Sequence, residues 1–280
     1  TWTWLHSPAF RATPLDMKAE ADIHFLQGVN QLIGHGWPYT AESEASPGWR
    51  FYAAAVFDDK NPWWIAMPDV AKYLQRVSFM LRQGRPANDV ALYLPNDDAY
   101  AAFRAGRVHM IETLRALLGK TVMPQILEAG YGLDFVDDGS LAKAARVEGG
   151  KLMAGGNVYS IVVLPGVKSI PVATMKLLRD FVSSGGVLVA TRRLPERAPG
   201  FKATEADHAA VNQIAGELFN TPGAKGVFVK DEESLGERLR AAFAPDLKLA
   251  ESLPEIGFIR RNLDAADVYF IANTANTPNN

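Results

Sequence analysis

Three side chains able to contact a small ligand alternate along one short run, Gly34-His35-Gly36-Trp37-Pro38-Tyr39. An imidazole can donate or accept a hydrogen bond at a ligand hydroxyl. The flat faces of an indole and a phenol can lie against apolar C–H patches of a ligand. The plainer readings stay open: His35 satisfied by neighbouring backbone, and Trp37 and Tyr39 packing a loop onto its scaffold. His6, in Trp2-Thr3-Trp4-Leu5-His6, is a fourth candidate, for a substrate contact, a carboxylate contact or a helix entry. Trp49, Trp63 and Trp64 read as loop core. Glu20 and His24 are four apart, as metal ligands can be. With Asp16 they also show the spacing of ordinary helical ion pairs, so no metal site is assigned. Asp58-Asp59 and Asp97-Asp98 are oxygen-rich pairs of the kind that bind Ca²⁺. Each also fits a solvated loop or a helix cap, and neither is assigned.

The elements around His35 must hold it in place. Thr13-Pro14-Leu15-Asp16 is a helix start with a capping-box arrangement. The helix runs to Gln27, Gly28 stops it, and Leu15, Ala19, Ile23 and Leu26 form its apolar stripe. Val29 to Gly36 is short, apolar at its centre and closed by glycines, which predicts a buried strand. Residues 37 to 66 form a long aromatic-rich excursion, and loops of that length are usually functional. A second helix is predicted from Pro68 to Gln83. Helix, strand, long loop and helix fit the last units of a (β/α)8 barrel, whose loops after strands line the catalytic face. Such a barrel needs at least about 200 residues, so most of it would lie outside this chain.

All six tryptophans and three of the five histidines fall within the first 64 residues. That shift marks a domain change, placed near Arg82-Gln83-Gly84-Arg85-Pro86 by its Gly and Pro stop signals. Strands are predicted at 89–95, 133–136, 159–165 and 186–190, with helices at 108–118 and 171–183 between them. This alternation implies a flavodoxin-like parallel α/β domain over 86–250, with a small hairpin at 146–152. A short strand (226–230) and a helix (232–243) follow. A hairpin at 257–261 and 268–272 reads as the start of a β-rich region over 251–280.

With 280 residues, 48% of them hydrophobic and 21% charged, the chain can bury a sizeable core. A formal net charge of -2 gives no global attraction to nucleic acid or to an anionic membrane. The absence of cysteine excludes thiol nucleophiles, thiolate zinc sites and disulfides. No apolar run approaches the roughly 18 residues of a membrane span. Neither the dinucleotide nor the P-loop glycine motif is present, so the α/β domain reads as structural, for packing or oligomerisation. No signal peptide is visible at Thr1, and both ends read as cuts through a larger protein.

Three runs then carry a family resemblance: Trp2-Thr3-Trp4-Leu5-His6-Ser7-Pro8, Thr13-Pro14-Leu15-Asp16, and Asn30-Gln31-Leu32-Ile33-Gly34-His35-Gly36-Trp37-Pro38-Tyr39. With Pro47-Gly48-Trp49-Arg50-Phe51-Tyr52, Asn61-Pro62-Trp63-Trp64 and Asn88-Asp89-Val90-Ala91-Leu92-Tyr93-Leu94-Pro95, the chain resembles the bacterial α-L-rhamnosidases of glycoside hydrolase family 106. The resemblance implies inverting removal of terminal L-rhamnose from plant polysaccharides or glycoconjugates, with a dependence on calcium for which no site is identified. It also implies a periplasmic or secreted location. An inverting hydrolase needs two carboxyl groups on opposite sides of the sugar. The resemblance places both principal glutamates upstream of Thr1. His35, Trp37, Tyr39 and His6 are then substrate contacts, and the isolated chain is expected to be inactive. A non-catalytic carbohydrate-binding or assembly module is the alternative.

Overall fold

The computed structural model describes residues 10–51, 56–104, 106, 109–249 and 253–275. The chain divides into two compact units, one of residues 1–84 with 254–280, the other of 85–253.

In the first unit, helix α1 (Pro14–Leu26) starts as the sequence predicts. The Thr13 hydroxyl accepts the Asp16 N–H at 3.3 Å, and the Asp16 carboxylate accepts the Thr13 N–H at 2.9 Å. The buried face differs from the expected stripe. Met17, Ala21 and Phe25 are fully buried, whereas Leu15 is exposed. Both faces of α1 carry apolar residues, so its tertiary neighbours decide which one turns inward. Asp22 is buried on the same side. It accepts the Tyr73 hydroxyl and the Lys18 ammonium, each at 2.5 Å. Tyr73 belongs to α2 (Met67–Leu81), which follows a 3-10 turn at Pro62–Ala66.

The hairpin Ile256–Asn262/Asp267–Asn273 is antiparallel, as expected. The sequence reading set it apart as the opening of a third region. In the structure it packs on α1: Phe270 meets Phe25 edge to face at 5.8 Å, and Gly257 lies against Leu26. A Cβ on Gly257 would come within 2.5 Å of that leucine.

Residues 29–36 do not form the predicted strand. Gly34 makes a single bridge, and Ile33 is 64% exposed. A strand exists only through its ladder. Among the described residues this segment has no strand beside it.

The second unit is a parallel five-stranded sheet, with β1 (Val90–Tyr93), β2 (Leu133–Val136), β6 (Ile161–Pro165), β7 (Val187–Thr191) and β8 (Val227–Val229). Their order is β2-β1-β6-β7-β8. Between β2 and β6 lies an antiparallel sheet of β3 (Arg146–Glu148), β4 (Lys151–Ala154) and β5 (Asn157–Tyr159), which extends the predicted hairpin by one strand. Gly149 and Gly150 turn β3 into β4 with φ of 54° and 74°, values that a two-residue hairpin turn requires.

Alternate residues of each parallel strand point to opposite faces. Ala91, Tyr93, Val162, Leu164, Leu188 and Ala190 pack under α6 (Asp138–Ala144), α7 (Val172–Ser183) and α8 (Glu205–Phe219). Val90, Leu92, Ile161, Val163 and Val189 pack under α4 (Ile111–Leu118), α5 (Val122–Glu128) and α9 (Leu235–Ala242). Covering both faces explains why these strands read as continuous apolar runs. The remaining helix, α3 (Asn96–Ala102), follows β1.

Candidate functional site

The sequence candidates lie on the excursion that follows α1. His35 is half-buried, and its ring stands edge-on to Phe51 with centroids 5.1 Å apart. Gly36 makes that approach possible. Its φ is 97°, and a Cβ there would lie 2.4 Å from Phe51 Cδ1. The close packing of backbone on ring therefore fixes the aromatic partner of His35.

Trp37 is 62% exposed and rests edge-on against Trp64 at 5.2 Å. Trp64 is tilted on Trp63 at 6.2 Å, and both pack against the core around Phe25 and Phe57. Trp37 is thus an exposed ring on a half-buried aromatic foundation. Its bare surface can take another flat apolar face without first being ordered.

Tyr39 is 72% exposed and meets Trp49 at 6.2 Å, a third edge-to-face pair. The turn between them is tied by the Trp49 N–H, which donates to the Thr40 hydroxyl at 3.0 Å, and by the Gly48 N–H, which donates to the Ala45 carbonyl at 2.9 Å. Gly48 has a φ of 90°, and any Cβ would strike Thr40 at 2.7 Å. Trp49 corrects the sequence reading: placed there in the loop core, it is exposed and paired with Tyr39. The roles of Phe51, Trp64 and Trp49 as partners were missed because aromatic identity alone does not tell a foundation from an exposed face. The glycines Gly36 and Gly48 were the available signal, since each marks a place where backbone meets a side chain.

His6 lies outside the described residues. The Glu20–His24 pair has its nitrogen and oxygen 3.7 Å apart, the geometry of a surface ion pair along one helix. Asp58 is buried and accepts the Lys60 N–H at 3.0 Å, and burial raises its carboxyl above the ordinary value. Asp97 and Asp98 open α3 in the other unit. Among the described residues, no three His, Asp or Glu side chains come together as a metal site.

The family model described as alpha-L-rhamnosidase, Glyco_hydro_106, matches residues 5–280. A rhamnosidase from Novosphingobium sp. PP1Y superposes with a TM-score of 0.61 at 19% identity, over 94% of this chain and 24% of its own. A catalytic mutant of Gan42B, a family 42 β-galactosidase from G. stearothermophilus, gives 0.59 at 14% identity, over 94% of this chain and 45% of its own. A protein of Formosa agariphila provisionally described as a β-glucuronidase is 25% identical over 262 residues, 93% of this chain and 20% of that protein. The chain thus spans about a quarter or less of the rhamnosidase and of the Formosa protein. The two solved structures share its α/β fold.

Proposed function

The chain belongs to glycoside hydrolase family 106, the α-L-rhamnosidases, and from that premise we propose that it is the substrate-contacting C-terminal part of a rhamnosidase catalytic barrel, joined to a flavodoxin-like domain. The observation that carries the reading is the exposed Trp37 ring, held on Trp64 and two residues along the chain from the half-buried His35. In this reading His35 hydrogen-bonds a rhamnose hydroxyl. Trp37 and Tyr39 lie along the apolar face and methyl group of the deoxy-sugar. These contacts orient the sugar and exclude water from one side of it. They do not transfer protons to the glycosidic oxygen or activate water.

Inverting hydrolysis assigns those two tasks to a pair of carboxyl groups roughly 6.5–9.5 Å apart. We place that pair in the part of the protein that precedes Thr1, and we place the whole enzyme outside the cytoplasm, acting on plant rhamnosides. The flavodoxin-like assignment is supported by the strand order β2-β1-β6-β7-β8, which is 2-1-3-4-5 in chain order. The barrel assignment is supported by the family match and by the long loop between α1 and α2, whereas the 29–36 segment, without a ladder among the described residues, adds nothing to it. Calcium, implied by the resemblance, finds no cluster of three acidic or imidazole side chains among the described residues. No step is routed through it.

The test is hydrolysis of p-nitrophenyl α-L-rhamnoside by the full-length parent and by the 280-residue chain. The parent releases p-nitrophenol and first forms the inverted anomer, followed by proton NMR. The chain alone releases none. Turnover by the isolated chain would place the acid and base within it. Binding of rhamnosides without hydrolysis by the parent would establish the non-catalytic alternative.

A further inference from the structure

The C-terminal unit holds a cavity of about 720 Å³ at the carboxyl ends of β1, β6 and β7. Open parallel sheets bind ligands at this place, where successive crossovers leave for opposite sides. That reversal falls here between β1 and β6. Asp97 and Asp98 enter the wall just after β1, Gly166, Lys168 and Ser169 after β6, and Arg192 and Arg193 after β7.

Most of the charge in the wall is committed to the framework. Asp98 is buried, and its carboxylate accepts the Lys168 N–H at 2.7 Å and the Ser169 N–H at 2.9 Å. Lys168 pairs with Glu196 at 3.3 Å. Arg192 pairs with Glu232 at 2.9 Å and donates to the carbonyls of Pro165, at 3.1 Å, and Leu117. Its guanidinium lies over Gly166, where a Cβ would meet it at 2.7 Å. Arg192 itself has a φ of 61°, left-handed backbone that a non-glycine residue adopts at a cost.

Two cations are left over. Arg193 and Arg197 line the cavity and are exposed, and among the described residues neither side chain has a hydrogen-bond or ion-pair partner. Their backbones are nonetheless pinned. The Arg193 N–H donates to Thr191 O at 2.6 Å, and the Arg197 carbonyl accepts the Ile170 N–H at 3.1 Å within the Ser169–Arg197 bridge. The rest of the wall is mostly small, with Ala101, Ala102, Ala116 and Pro199 beside Leu117. Fixed roots, unspent guanidinium groups and small neighbours leave room for a ring bearing an anionic group.

We propose that this cavity binds a sugar-sized oxyanion, a small molecule carrying a carboxylate, sulfate or phosphate group, with Arg193 and Arg197 as its charged contacts. A guanidinium matches two oxygens of such a group at once. The volume falls within the roughly 300–1,000 Å³ of small-molecule sites and exceeds what an inorganic ion alone would fill. The absence of both phosphate-loop motifs directs the site away from nucleotides.

The proposal stands apart from the rhamnosidase reading, and its test uses no hydrolysis. Isothermal titration of the 280-residue chain at low salt compares D-glucuronate, glucose 6-sulfate, glucose 6-phosphate, D-glucose and inorganic phosphate. At least one anionic sugar is expected to saturate the chain, glucose is expected not to, and inorganic phosphate is expected to bind more weakly than the best sugar. Adding salt should weaken the binding. Arg193→Ala/Arg197→Ala should weaken it at least about tenfold, and Arg238→Ala, on the exposed side of α9, should leave it unchanged. Thermal unfolding verifies that the double variant is folded. If it is not, Arg193→Gln and Arg197→Gln singly carry the same comparison. Which anionic sugar binds best distinguishes carboxylate, sulfate and phosphate as the natural group. Failure of every anionic sugar to saturate, unchanged binding in folded variants, or inorganic phosphate binding as tightly as the sugars would overturn the proposal.

Discussion

Replacing Gly36 by alanine should damage the site without touching any side chain proposed to meet the sugar. The new Cβ would lie 2.4 Å from Phe51 Cδ1 and 2.7 Å from Cε1, where ordinary contact begins at 3.4 Å. Phe51 must therefore retreat by about 1 Å, and the His35 ring packed edge-on against it loses its fixed partner. A φ of 97° adds a strain of about 1–2 kcal/mol for any L side chain. A displacement of about 1 Å in a positioning group can cost about a hundredfold in rate. In the full-length parent, we expect Gly36→Ala to lower kcat/KM on p-nitrophenyl α-L-rhamnoside by about 10- to 100-fold. Gly34 is the control, because among the described residues a Cβ there meets nothing within 4 Å, and the residue lacks a left-handed φ. Gly34→Ala should stay within about twofold of the parent, as surface changes away from packed features do. Equal kinetics for Gly36→Ala and the parent, or equal damage from both alanines, would refute the reasoning.

Two further outcomes follow from the packing and the charges. Phe25 is fully buried among Met17, Ala21 and Phe270, so Phe25→Ala should destabilise the first unit by about 3–5 kcal/mol. Differential scanning calorimetry of the parent and variant measures the loss. Asp138 accepts the Tyr93 hydroxyl at 2.5 Å and the Thr174 hydroxyl at 2.6 Å, and burial raises its carboxyl above the ordinary value. The folded state therefore holds that proton more tightly than the unfolded state. This contribution to stability is complete below the unfolded carboxyl value and is lost as pH rises through the raised folded value. Asp138→Asn should remove this loss and flatten the fall in stability over that window, read by urea unfolding at a series of pH values. An unchanged pH profile would show that Asp138 is not its source.

The fold was legible where one interaction dominates. The Thr13/Asp16 capping box fixes the start of α1 by itself, and the apolar runs of β1, β6 and β7 suffice because both faces of the sheet are covered. It was less legible where tertiary partners decide. Leu15 and Met17 are both good apolar candidates on α1, and only packing against the hairpin and α2 turns Met17 inward. The 29–36 segment has a strand's composition, but a ladder depends on residues elsewhere. Helix α8 could have been found from its own capping box, in which the Thr204 hydroxyl accepts the Asp207 N–H at 3.2 Å. In the candidate site, His35, Trp37 and Tyr39 were visible as residue types. Their partners Phe51, Trp64 and Trp49 were not, because those pairings are made across a loop of irregular backbone.

The central claim is that His35 and Trp37 meet the rhamnosyl unit of the substrate. It is tested most directly by steady-state hydrolysis of p-nitrophenyl α-L-rhamnoside by the full-length parent carrying His35→Ala or Trp37→Ala. Loss of one hydrogen bond or one stacking face to the sugar corresponds to about 1.5–3 kcal/mol, or roughly 10- to 150-fold in kcat/KM. Trp37 is exposed, so its removal should leave the melting temperature nearly unchanged. A fall in kcat/KM of that size for both variants, with melting preserved in Trp37→Ala, is the predicted result. Rates within about twofold of the parent for both would contradict the account.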